Sequence, residues 1–186
     1  MKKTENNSQT NKRRIFGTTK KLVVCALFVA MSIVLGKFLS IKIGDNIRIS
    51  FENLSLIMSG MFFGPVVGLV TAAVADIVGC ILYGYAINPI ITLGAASIGF
   101  TAGLASHIML KNNKLLNVIV SVSLAHLIGS IIIKTIGLYV YYHTPFQVLI
   151  WRLPVYIITA AAESFIIYTL VRNKAFSEQI ERMNQK

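Results

Sequence analysis

The chain has 186 residues, of which 55% are apolar, and it carries a formal net charge of +11. This composition excludes an ordinary soluble domain, and the length is too short for two membrane domains. The cations cluster towards the ends instead of interleaving with aromatic residues, which argues against nucleic-acid binding. The sequence therefore predicts one compact helical bundle in a membrane.

The two ends of the chain are polar tails. Residues 1–19 are basic and contain no Trp or Tyr anchor, so we predict a disordered cytoplasmic tail, followed by a membrane domain over residues 20–172 and a second polar tail over 173–186. Lys and Arg are concentrated in both tails and recur at Lys111 and Lys114. The positive-inside rule then places both termini in the cytoplasm, which requires an even number of crossings.

Six apolar segments lie between the tails, and a helix of about 20 apolar residues is enough to cross the hydrocarbon core. The expected fold is an all-α membrane protein with six transmembrane helices. The second segment is the weakest prediction, because so few apolar residues also fit a tilted or partly re-entrant helix. The predicted spans are residues 22–39, 51–63, 66–82, 90–110, 116–138 and 147–171.

Five charged residues lie inside or at the edges of these apolar segments. Each costs about 2.5 kcal/mol or more at the centre of a membrane, so such residues usually face a bundle interior, a partner or a ligand. They are Glu52, Asp76, Lys134, Arg152 and Glu163.

Helical spacing places these charges on polar faces of three spans. Asp76 shares a face with Ala72, Gly79 and Tyr83 on the third span. The other two faces are His126, Ser130, Lys134 and Tyr141 on the fifth span, and Arg152, Tyr156, Thr159 and Glu163 on the sixth. With Arg48 in the first outer loop and Trp151 among the aromatic residues at the rim, the cluster is expected to open outward.

Two interpretations of this cluster remain open. In the first, the charges neutralise one another, for example Asp76 with Lys134, and the aromatic residues form an interfacial belt. Glu163 is expected to pair with His107 or His126, or to contact another subunit. In the second, the cluster is a cup for an anionic ligand with a flat ring, since Arg matches carboxylates and aromatic rings stack.

Catalytic and metal-binding motifs are missing from the sequence, which has no His-Glu-x-x-His, no Gly-x-Ser-x-Gly and no phosphate-binding Gly-rich loop with Lys. Cys25 and Cys80 lie in predicted spans and are expected to be small apolar fillers. We therefore predict no enzymatic activity, no cofactor and no metal.

Several segments resemble the substrate-binding S components of energy-coupling factor (ECF) vitamin transporters, most of all the folate-specific type. The resemblance covers residues 21–171 and departs from that type at Leu54-Ser55 and Pro89-Ile90-Ile91. The matching residues are Ala26 and Ala30, Arg48-Ile-Ser-Phe-Glu-Asn-Leu54, Phe63-Gly-Pro-Val-Val-Gly68, Ala75-Asp76, Asn88-Pro89 and Thr92-Leu-Gly-Ala95.

The resemblance implies a high-affinity vitamin receptor in a bacterial plasma membrane. It would capture its ligand from outside and deliver it through a coupling membrane subunit driven by two ATPases. Ala26 and Ala30 would face the coupling subunit, because small side chains leave a groove for a partner helix. Asn88 and Pro89 would belong to a gating loop.

For folate, we assign Asp76 to the amino edge of the pterin and Trp151 with a loop tyrosine to ring stacking. Arg152, Lys134 or Arg48 would bind the glutamate tail. Tyr83, Tyr141 and Asn88 complete the predicted substrate site.

Three alternatives remain. The same scaffold could carry riboflavin, thiamine or pantothenate, because a fold does not determine its ligand. A small intramembrane enzyme could use Asp76 or Glu163 as an acid or base. A structural subunit or channel is disfavoured, because the inner halves of the helices are mostly Ala, Ile, Leu and Val.

Overall fold

The computed structural model describes residues 19–43, 47–108 and 113–184. Helices dominate this part of the chain, and a π-helical segment, His126–Ile133, joins α5 to α6 without a break. The helices are α1 (Thr19–Lys37), α2 (Glu52–Phe63), α3 (Pro65–Tyr83), α4 (Pro89–Ile108), α5 (Lys114–Ala125), α6 (Lys134–Tyr142), α7 (Phe146–Ile150), α8 (Arg152–Arg172) and α9 (Lys174–Asn184). A short antiparallel hairpin of β1 (Ile41–Ile43) and β2 (Ile47–Ile49) connects α1 to α2.

Within the described residues, five helical segments are long and apolar enough to cross a membrane. They agree closely with five of the six predicted spans, and the helical fold class is confirmed. The five segments are Thr19–Gly36, Pro65–Tyr83, Pro89–Ile108, Lys114–Tyr142 and Phe146–Arg172.

The remaining predicted span is the short helix α2. Its 12 residues rise about 18 Å, well below the roughly 30 Å of a hydrocarbon core. Its residues 53–62 are all buried, so α2 is surrounded by protein instead of lipid. Ile57, at its centre, is fully buried. The helix ends at Gly64, whose φ of 96° turns the chain directly into α3, with Pro65 at the first helical position.

Close packing of α2, α3 and α4 depends on glycines. A Cβ added at Gly60 would lie 2.1 Å from the carbonyl oxygen of Gly99, and one added at Gly99 would lie 2.2 Å from that of Gly68. Small residues supply the packing between membrane helices, because lipid gives helices no hydrophobic reason to associate. Gly60, Gly68 and Gly99 are therefore internal packing contacts of the bundle.

The two ends of the chain were predicted to be polar tails. Residues 1–18 lie outside the described residues, and so do residues 109–112, which include Lys111. At the other end, residues 174–184 form α9, whose Phe176 packs edge-on against Phe62 with ring centroids 5.4 Å apart. The prediction missed this helix because only its spacing of Phe176, Ile180 and Met183 indicates an apolar face.

Candidate functional site

A cavity of about 520 Å³ opens at one end of the bundle, where the 84–88 loop and the starts of α2 and α8 meet. Pockets for small organic ligands commonly have about 300–1,000 Å³. Asp76 on α3, Lys134 on α6 and Arg152 on α8 all line it. The three charges predicted to converge are therefore brought together around one space.

Asp76 is held by the neighbouring helix α4. Its Oδ2 accepts a hydrogen bond of 2.6 Å from the hydroxyl of Thr92. Gly79 and Tyr83 line the cavity together with Asp76, as their shared helical face predicted. The face of α3 turned towards the cavity thus carries one oriented carboxylate.

Lys134 forms an ion pair with Glu52 at the start of α2, with an Nζ–Oε1 distance of 3.3 Å. The example pairing of Lys134 with Asp76 was therefore wrong. Ser32 on α1 donates a hydrogen bond of 2.9 Å to the backbone oxygen of Glu52, which ties α1 to the same corner. Gly94 gives the lysine room, because a Cβ there would lie 2.6 Å from Lys134 Cγ.

Arg152 is oriented by two side chains. One guanidinium nitrogen donates to the hydroxyl of Tyr156, and the other donates to Thr135 Oγ1 at 3.5 Å. The guanidinium carbon also lies 5.2 Å from the centre of the Tyr156 ring. A planar cation fixed in this way can bind a carboxylate through two parallel hydrogen bonds.

Asn88 both caps a helix and faces the cavity. Its Oδ1 accepts hydrogen bonds from the backbone N–H groups of Ile90 at 3.0 Å and Ile91 at 3.4 Å, which caps the first turn of α4. Its Nδ2 is buried and has no hydrogen-bond partner among the described residues. Asn88 also lines the cavity, so this unsatisfied donor lies in a residue of the cavity wall. The adjacent Pro89 is exposed and begins α4.

The predicted aromatic residues divide between the cavity and the surface. Tyr83 lines the cavity, with its ring centre 6.4 Å from that of Tyr85, another lining residue. Trp151 and Tyr141 are not among the lining residues and are 62% and 58% exposed. On α6 the lining face runs through Lys134, Leu138 and Tyr142 at four-residue spacing, so Tyr142 lies where Tyr141 was expected.

Three further predicted residues, Arg48, Ala26 and Ala30, lie in the hairpin and on α1. Arg48 pairs with Lys42 in the backbone register of the hairpin, and its side chain lies outside the described part of the chain. Ala26 and Ala30 are both exposed on α1. Neither Cys25 nor Cys80 forms a disulfide, and Cys80 lines the cavity.

Sequence reasoning missed several lining residues. Glu52 had been recognised as an intramembrane charge and Tyr156 as a member of the Arg152 face, but neither was assigned to the site. Their signals were present in the sequence. Ser32 carried no comparable signal, because nothing local distinguishes a cavity-lining serine from others.

Comparison with known proteins identifies the family to which this chain belongs. A family model described as "ECF-type riboflavin transporter, S component" matches residues 16–175. The folate transporter FolT of Leuconostoc mesenteroides is 30% identical over 135 residues, which cover 68% of this chain and 67% of that protein. The chain therefore belongs to the S-component family of ECF-type transporters, whose members are transport proteins and not enzymes.

Solved structures agree with this assignment. A crystal structure of FolT bound with folic acid matches with a TM-score of 0.67 and 26% identity, covering 82% of this chain and 93% of that one. The structure of the S component of another bacterial ECF transporter matches with a TM-score of 0.62 and 18% identity, covering 90% and 98%. The second likeness shows the fold alone.

Proposed function

We propose that this S component binds folate in the cavity lined by Asp76, Lys134 and Arg152. The observation that carries the proposal is the convergence of one carboxylate and two cations around a single space of about 520 Å³. The likeness to FolT, in sequence and in structure, supports folate as the vitamin.

The chemistry of folate matches the arrangement of side chains. The Asp76 carboxylate accepts hydrogen bonds from the amino edge of the pterin, and the Asn88 amide donates to a ring acceptor. Tyr83 provides an aromatic face for ring stacking, a role that the exposed Trp151 does not fit. Arg152 binds a carboxylate of the glutamate tail, which is an arrangement that favours charge-assisted hydrogen bonds.

Lys134 binds the same glutamate tail when the ligand carboxylate shares its contact with Glu52 or replaces it. The ion pair orients the lysine before the ligand arrives. A ligand carboxylate that approaches Lys134 competes with Glu52 for the ammonium group. Arg48, in the hairpin, is a further candidate cation for the same tail in this proposal.

The membrane arrangement extends this proposal. Residues 20–172 form a six-crossing domain in a bacterial plasma membrane, with α2 as a short second crossing enclosed by protein and both tails cytoplasmic. The cavity then opens to the outside, from which the vitamin is captured. Ala26 and Ala30 form a face for a coupling membrane subunit that works with two ATPases, and the loop at Asn88 and Pro89 gates the site.

Identifying the retained ligand tests the proposal. Mass spectrometry of the purified protein is expected to find a folate, and titration with folic acid should show saturable binding at one site. The specific alternative is riboflavin, which the description of the matching family model favours. Retention of riboflavin, together with its tighter binding in the same titration, would replace folate as the ligand.

A further inference from the structure

A histidine–carboxylate pair lies buried in the bundle beyond the floor of the cavity. His126 Nε2 and Glu163 Oε2 are 2.6 Å apart, and the two residues are only 2% and 0% exposed. His126 begins the π-helical segment and Glu163 lies on α8. Of the two predicted histidine partners of Glu163, His107 and His126, the structure shows His126. Neither His126 nor Glu163 lines the cavity.

Stability alone does not explain this pair. Its other two polar atoms, His126 Nδ1 and Glu163 Oε1, are buried without a hydrogen-bond partner among the described residues. Half-satisfied polar groups in an apolar interior are costly, and apolar replacements of buried ion pairs are often as stable or more stable. The role of the pair therefore lies in the residues that it contacts and not in its own contribution to stability.

Tyr156 connects the pair to the cavity. Its ring centre lies 5.5 Å from that of His126, and its hydroxyl accepts a hydrogen bond from Arg152. Arg152, Tyr156 and Glu163 follow one another on α8 at spacings of four and seven residues, which places them on one helical face. A continuous series of contacts thus runs from Glu163 through His126 and Tyr156 to the cavity-lining guanidinium.

The π-helical segment makes a second connection to Arg152. Thr135, just after the segment, accepts a hydrogen bond from Arg152 and donates one of 3.4 Å to the backbone oxygen of Ser130 within it. The segment therefore contacts α8 directly through His126 at its start. Near its end it is linked to α8 through Thr135, which bonds both Ser130 and Arg152. π-Helical turns are rare and occur frequently at functional sites.

We propose that His126 and Glu163 are positioning residues for ligand binding. Their contact fixes the π-helical segment against α8, so that Tyr156 and Thr135 hold the Arg152 guanidinium in the orientation that receives a ligand carboxylate. The inference rests on the proposed function in so far as that carboxylate belongs to folate. Loss of the pair should then weaken binding of the carboxylate tail and leave binding of the pterin ring unchanged.

A double-mutant cycle on the full chain tests the inference. Affinities for folic acid and for 6-hydroxymethylpterin, which has no carboxylate tail, are measured for the wild type, Glu163→Gln, Arg152→Ala and the double variant. We expect Glu163→Gln to weaken folic acid by about tenfold and to add little in the Arg152→Ala background, because coupled residues are not additive. The tail-less pterin should change by less than about twofold, within the error of additivity for independent sites.

Two further variants separate positioning from general destabilisation. Tyr156→Phe keeps the ring beside His126 but removes the hydroxyl that accepts from Arg152. Glu163→Gln should therefore cause a smaller added loss of folic acid in that background than in the wild type, because only the connection through Thr135 remains. Ser59→Ala removes another buried hydrogen bond, from Ser59 Oγ to the Leu56 carbonyl at 2.7 Å, and should be additive with Arg152→Ala. If Glu163→Gln does not fold, His126→Gln takes its place in the cycle.

The outcomes distinguish this inference from the proposed ligand. Equal losses for folic acid and the tail-less pterin, or additive losses in the cycle, overturn the positioning role. A wild-type protein that binds riboflavin and not folic acid overturns the proposed ligand. The cycle is then repeated with riboflavin, which has no carboxylate but offers carbonyl and hydroxyl oxygens to the guanidinium, and additivity of positions 152 and 163 again overturns the positioning role.

Discussion

Lys134 and Arg152 lie on neighbouring helices, and each is held by a different kind of partner. Lys134 is paired with a carboxylate, whereas Arg152 is held by two hydroxyl groups and has no ion pair among the described residues. A charge within a membrane costs about 2.5–3.5 kcal/mol on insertion scales. A cation held only by neutral hydroxyls is therefore the better candidate for direct contact with an anionic ligand.

Arg152→Ala should weaken folic acid by about 10- to 100-fold, because hydrogen bonds to charged groups contribute about 1.5–3 kcal/mol. The affinity for 6-hydroxymethylpterin should change little. Isothermal titration with both ligands measures the difference. Arg172→Ala, at the other end of α8 and exposed, is the matched control and should leave both affinities unchanged. Equal loss of both ligands in Arg152→Ala would contradict the assignment of the tail.

Asp76→Asn should weaken folic acid and the tail-less pterin alike, by about tenfold or more, because a charged acceptor is replaced by a neutral amide. The same titrations measure it. Glu178→Gln, an exposed carboxylate on α9, controls for loss of a negative charge. If Asp76→Asn binds the tail-less pterin as tightly as the wild type does, Asp76 does not bind the amino edge of the pterin.

At the scale of helices, the position of the cavity depends on how closely the helices approach one another. Glycines allow α2, α3 and α4 to touch through their backbones, and Gly94 leaves space for the stem of Lys134. The short helix α2 can exist in this setting because its neighbours enclose it. The glycines therefore determine where the charged side chains of adjacent helices meet.

Gly99→Ala should destabilise the protein by about 1–3 kcal/mol, the usual cost of overpacking, because its Cβ would lie 2.2 Å from the Gly68 carbonyl oxygen. Thermal unfolding in detergent measures the loss. Gly79→Ala is the matched control on α3, since the nearest atom to its Cβ would be Ile33 Cγ1 at 3.8 Å. The control should be neutral or slightly stabilising, because Ala favours helices over Gly. A stable Gly99→Ala variant would contradict the packing described for these helices.

The α9 helix is expected to detach when its main contact is removed. Phe176 packs against Phe62, and Asn184 donates a hydrogen bond of 2.8 Å to the Phe62 carbonyl. Phe176→Ala should therefore speed limited proteolysis within residues 174–184 without changing ligand affinity, because the cavity lies at the other end of the bundle. Phe165→Ala, on the exposed side of α8, should change neither quantity. Loss of ligand affinity in Phe176→Ala would mean that the two ends are coupled.

At the scale of the whole molecule, the cavity makes one of the two cysteines a reporter of occupancy. Cys80 lines the cavity, whereas Cys25 is buried on α1. A thiol reagent that enters the cavity reaches Cys80 by the route that the ligand takes. Labelling can therefore report both binding and the side of the membrane from which the ligand enters.

A membrane-impermeant maleimide added outside right-side-out vesicles should label Cys80, and saturating folic acid should slow this labelling. Cys80→Ala should abolish it, and Cys25→Ala should not. Mass spectrometry of the labelled protein measures the modified fraction. Labelling that folic acid does not affect, or that occurs only in inverted vesicles, would contradict outward capture.

The local patterns of the chain determined most of its architecture. Hydropathy located five spans to within a few residues, and helical spacing placed Asp76, Gly79 and Tyr83 on one face. The residues that do not fit an apolar helix were equally visible, so Asp76, Lys134 and Arg152 could be chosen as site candidates. These features depend on neighbours along the chain, so the sequence alone was sufficient for them.

Only the tertiary structure decided which side chains meet. Glu52 pairs with Lys134, Thr92 binds Asp76, and Tyr142 replaces Tyr141 at the cavity. Trp151 is adjacent to Arg152 in the sequence, but its side chain is exposed. These outcomes depend on which helices are adjacent and on how each is rotated about its axis. Contacts between distant residues set both, so no local pattern in the sequence could reveal them.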